Sequence, residues 1–107
     1  MIGVDVVIEY IRYSVPEERH VEFEEAYGEA AKVLEASPHC LGYEVSHGVE
    51  EPGHYVVRIE WDSIEGHERG FRGSPEFRTF FQAVRPFFDD IQEMSHYEMT
   101  RTQGGDA

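Results

Sequence analysis

The first strand-like segment is apolar on both of its sides, and this constrains the fold more than any other feature of the chain. Residues 3–13 are rich in β-branched and aromatic residues, as a strand should be. Alternation puts Val4, Val6, Ile8 and Tyr10 on one side and Val7, Ile11 and Tyr13 on the other. A sheet with one solvated face alternates apolar and polar residues more cleanly. Both faces of this sheet therefore need cover. The chain's own helices can cover one. A second copy of the chain is the economical cover for the other, so a homodimer is expected.

Further along, Ser14-Val15-Pro16-Glu17 reads as a capping box with proline in the first turn, opening a helix that runs to about Ala36. Phe23, Ala26, Tyr27, Ala30, Val33 and Leu34 fall on one side of it. Glu17, Glu18, Glu22, Glu24, Glu25, Glu29 and Glu35 fall on the other. Residues 41–49 and 54–62 read as an antiparallel hairpin around Glu50-Glu51-Pro52-Gly53. Asp62-Ser63-Ile64-Glu65 opens a short helix that Gly66, Gly70 and Gly73 keep short. Ser74-Pro75-Glu76 is expected to cap a third helix carrying Phe77, Phe80, Phe81, Val84 and Phe88, with Pro86 ending or kinking it. Residues 90–100 form a last strand. The order is β-α-β-β-α-(α)-β, which predicts an α+β ferredoxin-like domain with a four-stranded antiparallel sheet. It spans residues 1–100, with 101–107 as a polar, flexible tail.

The formal net charge is −13, from 22 acids against 9 lysines and arginines. Such a balance argues against nucleic acid and against an anionic membrane surface, because both need a positive face. Much of the charge is expected on the outer side of the first helix, so it says little about substrate. No secretory signal is visible at Met1-Ile2-Gly3, and Cys40 is the only cysteine. A cytoplasmic protein without disulfides is expected. The chain contains no asparagine.

The stretches Gly42-Tyr43-Glu44-Val45, Tyr55 to Ser63 with Trp61 near its end, Gly66-His67, and Ser74-Pro75-Glu76-Phe77-Arg78-Thr79-Phe80 resemble the antibiotic-biosynthesis monooxygenase (ABM) family. The resemblance covers roughly residues 5–99. It implies a dimeric α+β barrel, in which two ferredoxin-like sheets pack face to face. It also implies one of two chemistries, cofactor-independent oxygenation of anthrones and quinols by O2, or binding and degradation of haem. Haem degraders of this family use an Asn, a Trp and a haem-ligating His. Threading their helix along Ser74-Pro75-Glu76-Phe77 puts Phe81 at the His position and Phe71 near the Trp position. The cofactor-free members also use an Asn with a Trp. With no asparagine, this chain departs from both arrangements.

Trp61, the only tryptophan, is expected either to wall a pocket for a flat aromatic ligand or to lock strand to helix. His67 can take a proton from a phenolic substrate near neutral pH, and equally could stand on an exposed helix face between Glu65, Glu68 and Arg69. Tyr43, Phe71, Phe77 and Phe81 are the further candidate ligand contacts. His47 and His54 flank the hairpin, but strand parity sends them to opposite faces, so they cannot chelate one ion. No HExxH and no facial triad with recognisable spacing is present, and neither a metal nor a cofactor is expected. His20 is read as a boundary residue beside Phe23 and Tyr27, and His96 on the last strand has no assigned role. His39 and Cys40 are adjacent, which rarely aligns a base with a nucleophile. Arg58 is expected to pair with Glu44 or Glu60 across a dimer interface.

Three functions follow from these features. The leading one is a small oxidoreductase that acts on an electron-rich aromatic such as a quinol, with O2, His67 as base and Trp61, Tyr43 and the phenylalanines around the ligand. The second is a non-catalytic module that binds an aromatic ligand or regulates a partner. The third is haem handling without the usual residues.

Overall fold

The computed structural model describes residues 6–105, so Val4 and the last two residues of the tail lie outside the described residues. β1 (Val7–Ser14) leads through a 3-10 turn at Glu17–Arg19 into α1 (His20–Ala36). β2 (Cys40–His47) and β3 (His54–Trp61) form the hairpin. A π-helical turn (Gly66–Phe71), α2 (Phe77–Val84), a 3-10 turn (Arg85–Asp90) and β4 (Ile91–Glu98) complete the chain. The strands lie in the order β2-β3-β1-β4, and every neighbouring pair is antiparallel. This is the ferredoxin-like α+β arrangement expected from the order of elements.

Register divides the sheet into two faces. Glu9, Ile11 and Tyr13 of β1 stand opposite Ile59, Val57 and Tyr55 of β3, and this face meets the helices. Phe23 of α1 is fully buried at its centre. Its ring lies 4.8 Å from Tyr13, 4.5 Å from Tyr55 and 5.2 Å from Phe87. Tyr27, Ala30 and Leu34 continue the buried stripe of α1, at the helical spacing read from the sequence. Arg19 fastens the start of α1 to the turn after α2. Its guanidinium lies 4.4 Å from the Phe87 ring centre and 3.4 Å from Asp90.

The opposite face carries Ile8, Tyr10 and Arg12 beside Glu60, Arg58 and Val56. Arg58 pairs with Glu60 at 2.6 Å and Glu44 at 3.6 Å within the same chain. Glu60 is on the same strand and Glu44 on the neighbouring β2, so the pairing forms without a second copy.

Local chemistry differs from expectation at three places. Ser14 ends β1 and does not cap: the 3-10 turn starts at Pro16 with no side-chain hydrogen bond. Ser74 donates its hydroxyl to the Phe71 carbonyl at 2.7 Å and leaves α2 without a side-chain cap. Only the middle capping pattern forms, where Gly66 N–H donates to Ser63 Oγ at 2.8 Å. In β2, read from the sequence as residues 41–49, the strand ends at His47: an irregularity between Cys40 and Gly42 leaves Leu41 exposed, and Val49 lies in the exposed turn. His47 and His54 do point to opposite faces, since His47 pairs with Tyr55 while His54 pairs with Ser14.

A candidate active site between sheet and helices

Between β1, β3, β4 and α2 lies a cavity of about 260 Å³. Ile11, Ile59, Phe71, Phe77, Phe80, Phe81 and Met94 give it apolar walls. Its polar groups are few: Glu9, His67, His96 and Arg72, with the tyrosines Tyr13 and Tyr27. The two tyrosine hydroxyls are hydrogen-bonded to each other. Burial pushes the Tyr13 phenol up to about 12. An apolar volume with a few convergent polar groups is the usual form of a small-molecule site.

His67 is placed by the π-helical turn that follows Trp61. Arg72 N–H reaches back to the His67 carbonyl at 3.0 Å, one residue further than an α-helix allows. The imidazole is 6% exposed and stacks on Trp61, with ring centres 4.5 Å apart and planes 15° from parallel. This stack fixes the ring plane. Its Nδ1 lies 2.9 Å from His96 Nε2, where one ring donates and the other accepts. Its Nε2 lies 3.5 Å from Glu9 Oε1, and the Trp61 indole N–H donates to the same oxygen at 3.1 Å.

The turn can sit this close to the sheet because it is built on glycine. A Cβ on Gly70 would fall 2.3 Å from the His39 ring, and one on Gly66 would strike Asp62. His39 itself is held by Asp62, with Nδ1 3.0 Å from the carboxylate. So His39 forms no pair with Cys40, whose thiol points to the Gly42 carbonyl and is pushed up by burial.

The electrostatics of the cluster follow from burial. The His67 pKa is lowered to about 4, by burial first and then by His96 and Arg72. At neutral pH the ring is uncharged and keeps a lone pair. Burial raises the Glu9 carboxyl above its ordinary value, against the lowering effects of the Trp61 hydrogen bond, His96 and Arg72. With a neutral ring, the Glu9–His67 contact is not an ion pair.

Of the candidate residues, Trp61, His67, Phe71, Phe77 and Phe81 line this one cavity. Tyr43 does not. It lies in a separate cleft of about 460 Å³ between α1 and β2, where its hydroxyl donates to Glu35. His47 is in that cleft too, stacked on Tyr55 at 4.3 Å and edge-on to His20 at 5.1 Å. Glu9 and His96 belong to the cavity and were not singled out from the sequence. Glu9 carried a signal: its strand parity matches Val7 and Ile11, which puts an acid on the inward face. His96 carried none, since only the pairing of β4 with β1 brings it opposite Glu9.

Comparison with known proteins agrees with this architecture. YczJ, an uncharacterized protein of Bacillus subtilis strain 168, is 29% identical over 77 residues, covering 72% of this chain and 81% of that protein. A conserved protein of Methanosarcina mazei Go1 superposes with a TM-score of 0.76 at 20% identity, covering 91% of this chain and 95% of that one. SnoaB of Streptomyces nogalater, a cofactor-independent oxygenase, superposes with a TM-score of 0.69 at 20% identity, over 94% of this chain and 96% of its own. These structural likenesses share the fold. The family model described as antibiotic biosynthesis monooxygenase matches residues 6–83, most of the chain, and the chain belongs to that family.

Proposed function

We propose that the protein is a monooxygenase acting on a small electron-rich aromatic, of quinol or anthrone type, with O2 as co-substrate and His67 as base. The observation that carries this reading is a buried, uncharged imidazole stacked on Trp61 at the end of an aromatic-walled cavity. Phe71, Phe77 and Phe81 offer a flat ring an aromatic wall, and a cavity of about 260 Å³ suits a compact molecule. In the first step His67 takes a proton from the substrate hydroxyl or activated C–H. The new imidazolium then faces the Glu9 carboxylate and becomes half of an ion pair. The substrate anion gives one electron to O2, and the resulting radical and superoxide combine at the ring carbon. Loss of water leaves a carbonyl, so two substrate hydrogens leave with one oxygen atom and the other oxygen stays on the product. Binding energy for the step comes from burying the ring and from a base already desolvated and oriented.

Family membership and the likeness to SnoaB support this reading. The lack of asparagine places the burden of orientation on Trp61, Glu9 and the tyrosine pair. The chain is further proposed to act as a homodimer, with the Ile8, Tyr10 and Arg58 face as the contact.

Oxygen consumption with anthrone and hydroquinone substrates tests the activity, with product oxygen traced from 18O2. Turnover that falls at least 100-fold in His67→Ala, with folding retained, supports the reading. No turnover above background overturns it. Saturable quenching of Trp61 fluorescence without product would leave a ligand-binding protein in its place.

A further inference from the structure

The polar end of the cavity holds one carboxylate and two imidazoles, from three different elements. Glu9 and His96 are direct cross-strand partners on β1 and β4, so the backbone itself sets them side by side. His67 approaches both from the π-helical turn. One potential ligand atom from each residue lies within 4.8 Å of the others. His67 Nδ1 and His96 Nε2 are 2.9 Å apart. Two imidazole nitrogens bound to one ion at about 2.1 Å and at right angles would stand about 3 Å apart. This pair is therefore already at a chelating separation.

We propose that Glu9, His67 and His96 form a three-ligand site for a divalent first-row transition ion, with its remaining coordination positions open to the aromatic cavity. Two imidazoles and one carboxylate suit zinc, iron, cobalt or nickel, whereas magnesium and calcium prefer all-oxygen sets. The supporting shell is present. Trp61 N–H donates to Glu9 Oε1, which orients the carboxylate and leaves Oε2 uncommitted. The Trp61 stack orients the His67 ring. Charge also favours an ion. Glu9 is 4% exposed, and Arg72, which lines the same cavity, acts on it only through space: among the described residues no lysine or arginine forms a salt bridge with it. A buried carboxylate without a directly paired cation is costly, and a divalent ion bound to it supplies that charge. His96 is exposed, which gives the ion an entry path.

This inference goes beyond the oxygenase reading. The ion and the substrate proton would compete for His67, so bound metal would inhibit the reaction proposed above.

The test is a titration of chelator-treated protein with Co2+ and Zn2+ in the absence of aromatic substrate. Visible d–d bands read Co2+, and competition with a chromophoric chelator reads Zn2+. One equivalent per chain is expected at micromolar concentration, with affinity falling at least 10-fold in His96→Ala and in Glu9→Gln. The His47→Ala variant controls for the neighbouring His20–His47 pair and should bind as the parent does. His96 is on the surface of β4, so its variant keeps the fold, which circular dichroism verifies. Absence of stoichiometric binding, or binding that survives His96→Ala, overturns the site. Because binding is read without turnover, its failure leaves the oxygenase reading intact, and inactivity towards quinols leaves the metal site intact.

Discussion

Replacing Gly70 with alanine should have opposite effects on stability depending on the residue at position 39. In the native protein the new Cβ would lie 2.3 Å from Cδ2 and Nε2 of His39. Comfortable carbon contacts begin near about 3.5 Å, so the ring or the turn must move by more than 1 Å. Swinging the ring away sacrifices its hydrogen bond to Asp62, worth about 1 kcal/mol. Keeping it forces overpacking, at about 1–3 kcal/mol. Alanine regains about 1 kcal/mol over glycine within a helical turn. The net effect in the native background is a loss of roughly 0–2 kcal/mol. In a His39→Ala background the obstacle is gone and only the gain remains. The two substitutions should therefore couple by roughly 1–3 kcal/mol. Urea denaturation of the four proteins measures this, followed by Trp61 fluorescence and far-UV circular dichroism. Trp61 is the only tryptophan, so its signal reports on the cavity wall. Equal effects of Gly70→Ala in both backgrounds, within about 0.5 kcal/mol, would refute the idea that His39 is the surface on which the turn rests.

Two other outcomes follow from burial. Phe23→Ala should cost about 3–5 kcal/mol in urea denaturation, because the ring is fully buried among Tyr13, Tyr27, Tyr55 and Phe87. A loss below about 1 kcal/mol would show that the core collapses into the space. The pH dependence of stability should contain two opposed contributions. With His67 held at about 4 against an ordinary 6.5, the unfolded chain binds more protons between those values, so this contribution is lost as pH falls through that window. Glu9 runs the other way. Its raised value makes the folded chain the tighter proton binder, so its unfavourable contribution is present above that value and fades as pH falls. The difference in urea midpoint between the parent and His67→Gln, followed from pH 7 to pH 4, should grow in the variant's favour. A constant difference would refute the assignment.

The legible parts of the fold were those written in periodicity. The stripe Phe23, Tyr27, Ala30 and Leu34 has helical spacing, and the alternation from Tyr55 to Trp61 has strand spacing. Both came through because burial on one face is a local rule. Caps were less legible, because Ser14 and Ser74 have the right neighbours and then satisfy other constraints: one finishes a strand and the other ties back to Phe71. Of the site, Trp61, His67 and the phenylalanines could be named. The burial of His67 could not, since Glu65, Glu68 and Arg69 around it read as a solvated turn. Glu9 and His96 join the cluster through strand pairing across most of the chain length, which no local pattern encodes. Tyr43 was grouped with them by parity alone. Parity specifies the face of a sheet and not the position along it, and β2 is an edge strand with β3 between it and β1.

The turn between Gly66 and Phe71 makes the site sensitive to chain length. A π-helical turn holds one more residue than an α-helical turn over the same span. Removing a single residue between His67 and Phe71 would let the backbone relax into an ordinary helix, and the two side chains would rotate by roughly 100° relative to each other. The sheet and α1 lie outside the segment, but Phe71, buried against Trp61 and Phe80, would have to shift with it. A one-residue deletion in this segment would thus reset His67 against Phe71 and reshape the polar end of the cavity.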